Sequence, residues 1–340
     1  MKQPPLITPR EVDVPRAQRH TLPNGASLYA IPSDDFEVLR FTFVFRAGSS
    51  MQHAPFAASA TANMLSEGSR DMTARQIAER LDFHGSYFEV NVDRDYVYIS
   101  FSSLSKFFGP TLEVAEQILL QPLFPEDELR AYCEKRKQTL TIERRKVDTV
   151  VREIFAEALF GDKHPYGISY PEKDYDTLTR ADLESLYRRL YTAENCLVVC
   201  SGRIGEEELQ GIGALAEKLP RADRSATADF PAPRSEAYRF VERPDAVQSS
   251  LRVGRLLFTR THPDFVGMQV VATVLGGYFG SRLMQNLREE HGYTYGVVAA
   301  MVNFEQAGYF AVATQVGTDV TRDALREIYA EIERLRTEPM

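Results

Sequence analysis

The chain has 340 residues, a formal net charge of -8, and 44% hydrophobic against 26% charged residues. That length exceeds the size at which one core usually stops growing, so two packed domains are expected, and the composition excludes a fibrous or disordered protein. The acidic balance argues against a nucleic-acid partner, which clustered Lys and Arg would have to hold.

The first twenty residues place prolines and acids where a secretory signal needs an uninterrupted apolar stretch, so no export signal is read. No run of about 18 apolar residues suggests a membrane span, and a cytoplasmic location is expected. In chain order, FEVLRFTFVFRAG is strand-like, and PFAASATANMLSEG suits a closely packed helix. Thr73 caps a helix over ARQIAERLDF, with Gly85 as its left-handed stop. SYFEVNV and YVYISFSS alternate as a hairpin. GPTLEVAEQILLQP is amphipathic, and Pro125 opens a long helical stretch that runs on to VVREIFAEALFG. Within it, Lys135-Arg136-Lys137 and Arg144-Arg145-Lys146 alternate with acids and read as solvated helix faces. A capped helix follows Thr179, then the strand NCLVVCS and the helix EEELQGIGALAEKL.

Cys133, Cys196 and Cys200 are an odd number in a long chain, which fits a reducing compartment rather than a disulfide framework. Cys196 and Cys200 lie four apart on a strand, about 13 Å from one another, too far to share an ion. They read as buried apolar residues.

Residues 221–236 are polar and proline-containing and read as a linker. Beyond it the order recurs: strand in SSLRVGRLLF, helices in PDFVGMQVVATVLGG and SRLMQNLREEHG, a hairpin of YTYGVVAAMV and AGYFAVATQV, and a helix in VTRDALREIYAEIERLR. ERLDFHGSYFEVNV resembles QNLREEHGYTYGVV once an extra residue is allowed before the second His-Gly. This predicts an α+β fold of two homologous units, 1–220 and 237–340, each an antiparallel or mixed sheet covered by helices on one face. The second unit, 104 residues long, reads as incomplete at its C-terminal end.

HTLPNGASLYAIPSDDFEVLRFTFVFRAGSS resembles the opening of the pitrilysin/insulinase family of zinc peptidases. The likeness continues through HPYG at 164–167, LTRADLESLYRRLYTAENC and LREEHGYTYGV, and covers nearly the whole chain. In active members of that inverzincin family, the helix after the first core strand carries H-x-x-E-H, two zinc-binding histidines and a glutamate that activates water. A distal glutamate completes the ligands. Anchored on Met64-Leu65, the resemblance puts Ser59, Ala62 and Asn63 at these positions and Leu140-Thr141 at the distal acid, with Glu143 displaced. None of these matched positions suits zinc. The six histidines offer no pair at helical-face spacing, so only a site assembled from distant residues would hold a metal. No cofactor is expected in this chain; zinc belongs to a partner.

The resemblance also implies a surviving pair. The family's second unit supplies an arginine and, seven residues later, a tyrosine that face the zinc, and Arg288 and Tyr295 have that spacing. A guanidinium can grip a peptide carbonyl and a phenol can donate to a developing oxyanion. The plainer reading is a helix-surface arginine and a strand tyrosine, with Tyr293 as a nearby competitor. LGGYFGSR, residues 275–282, lacks the lysine and βαβ setting of a phosphate loop and reads as the tight lead-in to the helix bearing Arg288.

The implied function is a non-catalytic subunit acting in trans. Its partners would be a homologous catalytic chain with intact H-x-x-E-H and an unfolded peptide, with no nucleic acid or membrane, and a homodimer is the other assembly considered. The alternatives are a degenerate scaffold or binding protein of the same fold, and a peptidase with an unrecognised site.

Overall fold

The computed structural model describes residues 14–222 and 229–338. The start of the segment read for an export signal, and residues 223–228 of the expected linker, lie outside the described residues. In chain order the structure runs β1 Gln18–Thr21, β2 Ser27–Pro32, β3 Val38–Phe45, α1 Ala57–Asn63, α2 Ala74–Phe83, β4 Tyr87–Val92 and β5 Val97–Leu104. Then come α3 Phe108–Leu120, α4 Glu126–Glu143, α5 Val147–Phe160, α6 Arg180–Leu190, β6 Cys196–Gly202 and α7 Glu206–Glu217. The remainder is β7 Gln248–Leu257, α8 Phe265–Ala272, a π-helical segment Met284–Glu290, β8 Val297–Asn303, β9 Gly308–Gly317 and α9 Thr321–Thr337. The fold is α+β, and none of the described helices is long and apolar enough to cross a membrane.

The described residues form two compact units: 14–48, 57–129 and 179–222 in the first, 49–56, 130–178 and 229–338 in the second. The division passes through α4. The first unit holds a six-stranded mixed sheet in the order β1-β2-β6-β3-β5-β4, with β6 parallel to β2 and antiparallel to β3. The alternation of β3 sets its two faces. Leu39, Phe41, Phe43 and Phe45 are fully buried, and Phe41 stacks on Phe101 at 5.2 Å. Each such side chain contributes about 1.5–3 kcal/mol, and together with Leu28, Ile99 and Val198 they make the core. Helices α1 and α3 pack against strands of this sheet, with α6 touching α1 and α7 touching α3. The intervening residues give a polar opposite face, where Arg40 pairs with Glu89 at 2.8 Å and Thr42 with Ser100 at 2.9 Å.

The second unit holds the antiparallel sheet β7-β9-β8. Its pairing repeats that of β3-β5-β4, and the helices between the strands recur in the same order. Leu283, Leu287, Val297, Ala299, Val312, Val316 and Ile328 form its core. The internal likeness at the two His-Gly pairs is also structural: Gly85 and Gly292 both take the left-handed conformation, at φ +60° and +65°, which favours glycine. The extra residue before the second pair has a physical location. Before Gly85 the helix ends in tight turns, with the His84 amide bonded to the Leu81 carbonyl. Before Gly292 the His291 amide reaches back five residues to Asn286 at 3.1 Å, so the added residue is absorbed as a π-helical turn.

Two local expectations are corrected. The helical stretch from Pro125 is two helices, because 144–146 form a turn in which Arg144 is tied to Glu153 and Glu172. Tyr293–Gly296 of the expected strand YTYGVVAAMV precede β8, because the Thr294 hydroxyl bonds locally to Gly296 and Thr314 of β9 fastens that turn at 2.9 Å.

Candidate functional site

Helix α1 is short and rich in alanine, which lets its Ala57, Ala58, Ala60, Thr61 and Ala62 face pack closely against α6 and β4. Ser59 and Asn63, one turn apart, lie on its less buried side, and the Asn63 side-chain Nδ2 donates to the Ser59 backbone carbonyl at 2.7 Å. Ala62 is fully buried and has only a methyl group to offer. On α4, Leu140 has no donor atom and the Thr141 hydroxyl donates to the Lys137 carbonyl at 2.9 Å. Glu143 is exposed at the end of that helix. A hydroxyl, a methyl and a carboxamide do not make a zinc site. Among the described residues no three His, Cys, Asp or Glu side chains are gathered as a metal-ligand set. The residues present do not fit the metal.

The cysteines are free thiols. Cys196 and Cys200 point into the core from β6, and burial pushes both thiols up, Cys200 to about 11. They are neutral at ordinary pH and act as small apolar residues.

In the second unit Arg288 and Tyr295 come together. Arg288 stands on the π-helical segment whose Met284, Asn286 and Leu287 are buried. Its guanidinium carbon lies 5.2 Å from the centre of the Tyr295 ring and 4.5 Å from that of Phe279, and its Nε is 3.4 Å from the neighbouring Glu289 carboxylate. Tyr295 is 90% exposed, held out by the Thr294–Gly296 turn rather than by a strand. Tyr293 goes the other way: it packs against the core and stacks on His291 at 4.8 Å. The geometry therefore separates the two tyrosines, with only Tyr295 beside the guanidinium.

Phe279, not singled out in the sequence, comes from the LGGYFGSR loop. Gly276 is needed there, since a Cβ would sit 2.7 Å from the Ala299 backbone nitrogen. The Ser281 amide closes a turn on the Tyr278 carbonyl at 3.0 Å, leaving Tyr278 and Phe279 55% and 64% exposed. Glycines on both sides of an aromatic pair were the available signal. Chemically, the cluster presents a guanidinium and a phenol at the surface, both hydrogen-bond donors suited to an anionic or carbonyl oxygen.

These features define an α+β protein built of two sheet-and-helix units, with Ser59, Ala62 and Asn63 on α1 of the first. The description "Insulinase (Peptidase family M16)" matches residues 56–171, and "Peptidase M16 inactive domain" matches 177–340. An uncharacterized zinc protease of Rickettsia bellii is 25% identical over 282 residues, 80% of this chain and 66% of that protein. One from Bacillus subtilis is 20% identical over 284 residues, 80% of this chain and 67% of the relative. The chain thus spans about two thirds of the length of these relatives. Among solved structures, a peptidase M16 inactive domain from Pseudomonas fluorescens superposes with TM-score 0.89 and 25% identity, over 96% of this chain and 80% of the other. A protease from Helicobacter pylori shares the fold at TM-score 0.83 and 16% identity, over 96% and 82% of the two chains. The chain belongs to the M16, or insulinase, family, and its residues 177–340 match that family's inactive-domain description.

Proposed function

We propose that the chain is the non-catalytic half of a two-chain zinc peptidase, supplying Arg288 and Tyr295 to the active site of a homologous partner that carries the metal. In this reading 1–220 and 237–340 are the homologous units, joined by 221–236, and the partner has an intact H-x-x-E-H. The observation that carries the proposal is the pairing of an exposed phenol with a guanidinium 5.2 Å from its ring, in a chain whose own metal-motif helix offers Ser59, Ala62 and Asn63. Such donors accelerate hydrolysis if they meet the oxygen on which negative charge develops, since only interactions stronger in the transition state raise turnover. The zinc-protease names of the relatives support a role in peptide cleavage rather than a purely structural one.

The test is turnover of a quenched peptide by this chain combined with an M16 homologue from the same genome that has the intact motif, association being measured separately. Arg288→Ala and Tyr295→Phe are expected to lower kcat by roughly 10²–10³, about 2.7–4 kcal/mol, without loss of assembly. Tyr293→Phe should act far less, because that ring faces the core. Near-normal turnover by both Arg288→Ala and Tyr295→Phe in a saturated complex would reject the role in trans and favour a scaffold.

A further inference from the structure

Arg288 is a long side chain, 28% exposed on its helix, and a side chain of that length has many rotamers to lose when it is fixed. A guanidinium that must meet a forming oxyanion gains from being fixed in advance. Ion pairing does little of this here, because the Glu289 carboxylate is 3.4 Å away and 55% exposed, and exposed pairs are weak. The stronger candidate is the pair of rings, with Phe279 the nearer at 4.5 Å.

Phe279 has a position that packing does not explain. It is 64% exposed and meets no other aromatic ring among the described residues. The loop that carries it is shaped by glycines: a Cβ at Gly276 would strike Ala299, and one at Gly280 would lie 2.9 Å from the Tyr278 ring. The helix that carries Arg288 holds the residue by which this repeat exceeds the first, absorbed as a π turn at Asn286–His291. Such turns are frequent at functional sites.

We infer that Phe279 is a positioning residue for Arg288, its ring acting with that of Tyr295 to hold the guanidinium in one orientation. An aromatic face attracts a cation while leaving the planar N–H edge free, so the hold does not consume the donors. The functional consequence rests on the proposed role of Arg288; the hold itself does not, and the experiment separates them.

The full chain, deuterated and carrying ¹³C,¹⁵N-arginine, is compared by NMR with Phe279→Ala, Phe279→Leu and Phe279→Tyr, the Arg288 signals being assigned from Arg288→Lys. Ring currents should shift the Arg288 δ-CH₂ and Nε–H signals in the wild-type chain and in Phe279→Tyr. Those signals should move towards ordinary arginine positions in Phe279→Ala and Phe279→Leu. Unchanged Arg288 signals in both of the latter would overturn the inference. In the combined pair, Phe279→Leu should lower kcat roughly 3- to 30-fold, as expected from loss of one ring–cation contact, with a smaller change in KM and recovery in Phe279→Tyr. Wild-type kcat in Phe279→Leu, alongside collapse in Arg288→Ala, would also overturn the positioning role. If Arg288→Ala itself keeps full turnover, the proposed function fails, and the NMR comparison still decides whether Phe279 holds the arginine.

Discussion

His164 shows how burial makes a pH-sensitive residue out of one that the sequence presents only as part of HPYG. Its side chain is 4% exposed, its Nδ1 accepts the Tyr166 amide at 3.0 Å, and the rings of Phe160, Tyr166 and Phe230 lie 5.0, 5.2 and 5.6 Å away. Burial lowers the pKa of this imidazole. A protonated Nδ1 could no longer accept the amide. The folded pKa is therefore below the unfolded one, so the contribution is fully present above about 6.5 and is lost as pH falls from there through the folded value. Urea midpoints taken from about pH 7.5 down to pH 5.5 should fall, and His164→Asn should be less stable at the higher pH but show a flatter dependence. Equal slopes for the two proteins would contradict this account. Ser59, Ala62 and Asn63, by contrast, need no structure for their chemistry, because three short side chains without an imidazole, thiolate or carboxylate offer no zinc set among themselves. Phe279 was not legible in the sequence, since its worth lies in a contact between a loop and a helix nine residues further along the chain.

At the scale of elements, local chemistry spoke clearly where it was self-contained. Thr73 and Thr179 both form capping boxes, with Gln76 and Asp182, and β3 announced its buried face by strict alternation. The missed break between α4 and α5 has no glycine or proline to signal it. It depends on Arg144, whose guanidinium bonds to Glu153 at 3.0 Å, to Glu172 at 2.7 Å, to the Ser169 hydroxyl and to the Tyr170 carbonyl at 2.8 Å. Hydrogen bonds to a group that is 20% exposed retain much of their strength. Arg144→Ala should therefore cost about 1–3 kcal/mol. Arg144→Lys should recover little, because a point charge cannot span both carboxylates and the carbonyl. Urea midpoints at unchanged m-value provide the measurement. A lysine variant as stable as wild type would mean that the fork geometry is not what fixes the turn. The π segment before His291 was visible in sequence only as one surplus residue, and its form required the Asn286–His291 bond to be seen.

For the molecule as a whole, the duplication was legible because strand and helix order recur, and the pairing β7-β9-β8 reproduces β3-β5-β4. The grouping of 130–178 with the C-terminal residues was not, since it arises from contacts such as α5 on β7 between segments far apart in the chain. Family membership followed from the order of motifs, whereas the half-enzyme reading turns on what this chain adds to another. The most direct measurement titrates it into a fixed amount of the zinc-bearing homologue while hydrolysis of a quenched peptide is followed. The account predicts no turnover by this chain alone and a rise that saturates at equal amounts of the two chains. Hydrolysis by this chain alone, or a rate that stays flat across the titration when the homologue is shown to be folded and loaded with zinc, would contradict it.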